Sequence, residues 1–262
     1  AYDVHKKQNF TLRASLLWTI SDFPAYAMLS GWSTAGKTAC PVCMDSTISI
    51  RLQHGGKQSW FDAHRKFLPL DHEFRRDTRN FTRDRVEHRP PPPVRSGEEI
   101  LQSLEDIGMR KVTEVGADEG NEELCSQCGW RKRSIFWDLP YWKTNLVRHN
   151  LDLMHIEKNF FDNLFNTILA IVGKTKDNIK SREDLKIICN RPQLDQNVRT
   201  GKYPNASYTL TKPQRKELLG WVEKIRFPDG FMSNLARSVD TRKYKMYGIK
   251  SHVCHVVMQR LV

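Results

Sequence analysis

Asp22, Cys40 and Cys43 are the side chains of this 262-residue chain whose type and spacing point most directly to chemistry. Asp22 closes a short apolar run of Leu16, Leu17, Trp18 and Ile20, the pattern of a buried strand, and Pro24 then blocks further ladder pairing. Sheet enzymes place a metal-binding carboxylate at such a strand exit; the competing use of Asp22 is a cap on the following turn. Cys40-Pro-Val-Cys43 has the spacing that lets two thiolates hold one zinc ion. Such an ion needs further ligands. Cys125 and Cys128 form a second pair that could supply them, as could His149 and His155 near one helix end. For Cys189, Cys254, His252 and His255 ordinary packing is expected.

A second set of residues suits a polyanion. His64, Arg65, Lys66, Arg75, Arg76, Arg79, Arg83 and Arg85 are interleaved with Phe67, Phe74 and Phe81, and Arg131, Lys132 and Arg133 lie beside Trp130 and Trp137. Basic groups neutralise phosphates while aromatic rings can stack on unpaired bases; the alternative is a solvated basic face. The whole chain has 42 Lys+Arg against 30 Asp+Glu, a net charge of +12 that favours polyanionic partners. Nothing in it forms a helix-turn-helix or finger that would read bases.

These residues must be positioned by a folded core, which 39% hydrophobic content supports. No run of some 18 apolar residues suggests a membrane span, and the Cys-x-x-Cys pairs fit metal ligation in a reducing compartment better than a disulfide framework. Residues 1 to about 43 read as strand, turn and knuckle, and 44 to 150 as a basic region. In that region Pro90 to Pro93 form a stiff spacer, and Ser96-Gly97-Glu98-Glu99 is a capping box opening a helix. Residues 114 to 123 are acidic and without periodicity. Residues 151–262 read as helical, with helices at about 151–172 closed by Gly173, near 181–190, at 212–226 and at 251–262. On the first of these, Asp152, His155, Asn159, Asp162 and Asn166 form one polar stripe. Glu157 projects instead among Leu153, Phe160, Phe161, Leu164 and Ile168, where a carboxylate must be paired, protonated or metal-bound. The start at Ala1 and the end in an apolar pattern lead to the expectation of an internal piece of a longer protein.

The stretch TLRASLLWTISDFPAYAMLSGWSTAGKTACPVC resembles the transposase of plant CACTA (En/Spm-type) DNA transposons. The resemblance continues through HRKFLPLDHEFRR, RPPPPVRSGEEIL, SIFWDLPYWKTNLVRHNLDLMHIEKNFFDN, GKTKDN, PDGF and IKSHVCHVVMQ. It implies an α/β (α+β) fold: part of an RNase H-like (DDE-type) core, interrupted by a largely helical insertion. It also implies a nuclear parent protein that works as a homo-oligomer, because two transposon ends must be joined, with DNA (transposon ends and target) as the partner.

In that family two aspartates and a glutamate hold two Mg²⁺ (or Mn²⁺) ions for strand cleavage and strand transfer. Asp22 matches the second aspartate. The first belongs to a DGxNPF-like motif upstream, and the glutamate and a pair of histidines are expected downstream, so that the fragment would be inactive alone. Glu157 is the internal candidate for the third acid, set against a buried ion pair with Arg or Lys. The resemblance further suggests that the missing zinc ligands of Cys40 and Cys43 are those downstream histidines. A non-enzymatic basic DNA- or protein-binding module is the rival reading.

Overall fold

The computed structural model describes residues 1–81, 85–109, 129–228, 230–231 and 234–260. The strands are β1 (Tyr2–Asp3), β2 (Gln8–Asn9), β3 (Thr19–Ser21), β4 (Ile50–Arg51), β5 (Gln58–Ser59), β6 (His149–Leu151), β7 (Val239–Asp240) and β8 (Lys245–Met246). The α-helices are α1 (Phe23–Ser30), α2 (Glu73–Arg76), α3 (Gly97–Asp106), α4 (Leu153–Ile168), α5 (Ile179–Ile188), α6 (Lys212–Lys224) and α7 (Ser251–Arg260). The fold is thus α+β, and among the described residues its strands form four separate two-stranded ribbons. The chain divides into two compact units, one of residues 1–34 and 94–151, the other of 35–93 and 152–262. They interleave along the sequence. No helix among the described residues is long and apolar enough to cross a membrane.

In the first unit β3 and β6 run parallel, pairing Thr19 with His149 and Ser21 with Leu151. The Thr19 hydroxyl and His149 Nδ1 lie 2.7 Å apart, and the imidazole packs with Tyr26 and the fully buried Trp142, each ring centre 5.4 Å away. A second aromatic contact sets Trp32 edge-on to Trp130 at 5.0 Å. The buried strand expected before Asp22 is corrected here: Leu17, Trp18 and Ile20 are exposed. Among the described residues β3 is paired along one edge only, by β6, so its apolar side chains are not enclosed as they would be in a covered parallel sheet.

The capping box opening α3 is present, with Ser96 Oγ accepting from Glu99 N and Glu99 Oε2 accepting from Ser96 N. Gly97 is required there by space, since a Cβ would sit 2.1 Å from the Lys143 carbonyl oxygen.

In the second unit α4 packs against α7, and Phe161, Val222, Leu235, Ile249, Val253, Cys254 and Val257 form a buried apolar core. Helices α5, α6 and α7 lie close to the stretches read as helical near 181–190, at 212–226 and at 251–262. The helix α4 is shorter than expected. Leu151 belongs to β6, Asp152 caps the start, and the helix gives way to a turn in which Ala170 has φ +45° and Gly173 has φ +77°. Buried Asp184 on α5 accepts the His54 and Gly55 N–H groups at 2.9 and 2.8 Å, pinning the turn between β4 and β5. Cys189 and Cys254 are buried as packing residues. The acidic residues 114 to 123 lie outside the described residues.

Candidate metal centre

The Cys-x-x-Cys segment folds as a tight knuckle. Met44 N donates to Cys40 O at 2.8 Å, and Cys43 N donates to Cys40 Sγ at 3.4 Å. Closing that turn puts buried Met44 at φ +48°, a conformation that favours glycine. The sulfur atoms therefore converge, and a ring nitrogen of His64 joins them, all three ligand atoms lying within 4.8 Å of one another. His64 is delivered by the 3₁₀ helix Asp62–Phe67, its N–H bonded to Trp60 O and Phe61 O at 3.2 Å. Its Nε2 is buried with no hydrogen-bond partner, a condition that costs free energy unless a ligand relieves it.

The electrostatics of the pair are split. Burial raises the Cys40 thiol, but the neighbouring His64 and the N–H groups of Cys43 and Val42 outweigh it and bring the thiol down to about 7. Burial, followed by the charge of Cys40, pushes Cys43 up to about 11. A cation placed between them would favour both thiolates. Two thiols and an imidazole are soft to borderline donors that suit zinc, not magnesium, and supply three of the four positions of a tetrahedral ion.

Of the basic residues expected to contact DNA, several are engaged within the fold of their own unit. Arg75, 1% exposed, donates to the carbonyls of Lys66, Leu68, Glu87 and Arg89 at 2.6 to 3.0 Å. Buried Arg65 donates to Phe74 O at 2.9 Å and lies 4.6 Å from the Phe81 ring centre. Buried Lys66 donates to Ser46 O at 3.0 Å, tying the 3₁₀ helix that carries His64 to the segment following Cys43. Arg133 is buried and pairs with Asp138 at 2.7 Å. Arg76, Arg131 and Lys132 are exposed and free to face a phosphate backbone, as are Arg79 and Arg85. Arg83 lies outside the described residues.

Asp22 directly follows β3, as expected, and serves as the N-cap of α1, its Oδ1 accepting from Ala25 N at 2.9 Å. Among the described residues it joins no group of three His, Cys, Asp or Glu ligand atoms. A two-ion magnesium site is therefore not assembled by these residues. Glu157 is partly buried and meets His255 Nδ1 at 2.5 Å, so it has a partner, but an imidazole in place of the expected Arg or Lys. The pairing also gives His255 more than a packing role.

The structure brings His64, not His149 or His155, to the cysteines. His149 Nδ1 is engaged by Thr19, and burial, with the neighbouring Arg148 charge, brings its pKa down to about 4. His155 is exposed on α4. Cys125 and Cys128 lie outside the described residues. Sequence reasoning placed His64 among the phosphate contacts because the charge of Arg65 and Lys66 dominated its neighbourhood.

Residues 1–107 match the family model described as Transposase family tnp2. The matched stretch contains Asp22, Cys40, Cys43, His64 and the buried Arg65 and Arg75. No curated protein and no solved structure matches the chain.

Proposed function

We propose that this chain is part of a DNA transposase of the CACTA (En/Spm-type) kind, acting in the nucleus on transposon ends and target DNA. The match of residues 1–107 to a transposase family carries this reading, and the net charge of +12 agrees with a polyanionic substrate. In the parent enzyme, water attacks a phosphodiester at the transposon end and frees a 3′-hydroxyl. That hydroxyl then attacks a target phosphodiester, displacing the target strand's own 3′-oxygen. Two ends must be joined, so a homo-oligomer is the working assembly.

Within this reading Asp22 supplies one carboxylate of the RNase H-like site, its first oxygen orienting α1 while the second stays available to a ligand. The remaining acids would come from elsewhere in the transposase. Zinc held by Cys40, Cys43 and His64 would lock the knuckle to the 3₁₀ helix and so fix the loop stitched by Arg65 and Arg75. Its role there is structural, since tying distant segments together is what the site's position accomplishes.

The test is cleavage of a labelled transposon end by the full-length parent, wild type against Asp22→Ala, with Mg²⁺ supplied. Loss of cleavage with DNA binding and folding retained supports the assignment; equal cleavage by the variant removes Asp22 from the site. The capping bond of Asp22 to Ala25 favours a second reading, a basic binding module without catalysis. A parent that binds the ends but never cuts them would favour that alternative.

A further inference from the structure

The polar stripe of α4 borders a cavity that neither the metal centre nor Asp22 uses. Its volume is about 510 Å³, and it lies between α4, the turn that follows, and the segment leading from β8 to α7. Along one wall Asn159, Asn163 and Asn166 recur at helical spacing. Their side-chain amides have no hydrogen-bond partner among the described residues. Tyr247 also lines the cavity, half exposed, with its N–H anchored to Ser238 O at 2.9 Å. Lys174 and Lys176 line the cavity from the turn after α4, both exposed. Lys158, by contrast, is held by Asp162 at 3.1 Å and Ile249 O at 3.2 Å.

This combination selects among ligands. A carboxamide presents a donor and an acceptor side by side, the complement of a nucleobase edge. A partly exposed tyrosine ring offers a stacking face, and lysine ammonium groups meet a phosphate. An inorganic anion would use the lysines and leave three amides idle; an apolar ligand would desolvate those amides at a cost. A base still stacked in a duplex cannot enter a concave site, so the matching ligand is unstacked or single-stranded.

We propose that this cavity binds one unstacked nucleotide of a DNA strand, its base edge against the α4 asparagines, its face on Tyr247 and its phosphate at Lys174 and Lys176. The inference rests on the DNA-processing reading above and adds a single-strand subsite to it.

The test is fluorescence anisotropy with a labelled single strand of about 12 nucleotides, a length in the range of single-strand binding sites, and with the matching duplex. Tyr247→Ala and Asn163→Ala alter exposed side chains and preserve the fold. Each is expected to weaken single-strand binding roughly tenfold, the range of one lost base contact, with duplex binding unchanged. Ultraviolet irradiation of a 5-iodouracil-substituted strand should cross-link Tyr247. Wild-type affinity in both variants, a parallel loss of duplex binding, or cross-links confined to other residues would overturn the subsite while leaving the DNA reading intact. Failure of the wild type to bind either form would overturn both.

Discussion

Glu157 on α4 and His255 on α7 join carboxylate to imidazole at 2.5 Å, linking two helices that pack on a shared core. The side chains keep 20% and 28% of their exposure, so solvent screens the interaction. A double-mutant cycle with Glu157→Gln and His255→Gln, read by urea unfolding, is expected to give a coupling of about 0.5–1 kcal/mol. A coupling near zero would show that the contact does not stabilise the helix pair.

The zinc assignment predicts one tightly held ion per chain, measured by native mass spectrometry with elemental analysis. Cys43→Ser and His64→Ala should each weaken zinc by more than the roughly 10- to 100-fold typical of losing an outer hydrogen-bond partner. A chelator should lower the melting temperature of the wild type and leave that of the cysteine variant unmoved. Full zinc occupancy in His64→Ala would remove the histidine from the site.

Two adjacent arginines should behave in opposite ways. Arg75→Met strips donors from four main-chain carbonyls and should cost about 3 kcal/mol or more in unfolding experiments. Arg76→Ala, at an exposed position, should stay within about 0.5 kcal/mol of wild type. If Arg76 meets a phosphate, its loss weakens DNA binding and lowers the salt slope by about one. A stable, normally folded Arg75→Met protein would contradict the structural role of that side chain.

His149 makes the first unit sensitive to acid. Its pKa is lowered from 6.5 to about 4 in the folded protein, so the unfolded chain binds the proton more readily. Stability from this group is fully present above pH 6.5 and declines as pH falls through 4, by on the order of 3 kcal/mol. His149→Gln should flatten that part of the stability profile in urea titrations at stepped pH. An unchanged profile would show that another group controls it.

Glycine substitutions separate steric need from helix propensity. Gly97→Ala would drive a Cβ to 2.1 Å from Lys143 O and should cost about 1–3 kcal/mol through forced displacement. Gly220→Ala lies within α6 with no atom within 4 Å of the new methyl and should stabilise by about 0.5–1 kcal/mol. Thermal melts of the two variants should move in opposite directions.

The elements legible in the sequence are those whose signals are local. The capping box at Ser96 and the Cys-x-x-Cys turn each lie within a few residues. The pairing of β3 with β6 was not legible, because His149-Asn150-Leu151 carries no strand pattern and its partner is distant in the chain. The environment of Arg75 was equally hidden: sequence displays its charge but not the four carbonyls gathered around it. Asp22 was located correctly at a strand exit, while the enclosure expected for that strand depends on neighbours a short apolar run cannot specify. His64 needed the fold, since only the turn that returns it to the knuckle distinguishes a ligand from another basic-tract residue.

The pairing of Thr19 with His149 spans 130 residues and bears on how the protein is made. At a synthesis rate of about 5–20 residues per second, β3 leaves the ribosome on the order of 10 s before its partner exists. During that interval Leu17, Trp18 and Ile20 are carried on a nascent chain whose β3 hydrogen-bonding groups have no mate. A pause in translation before residue 149 would lengthen the time for which those backbone groups stay unpaired, while the three side chains remain exposed even after pairing.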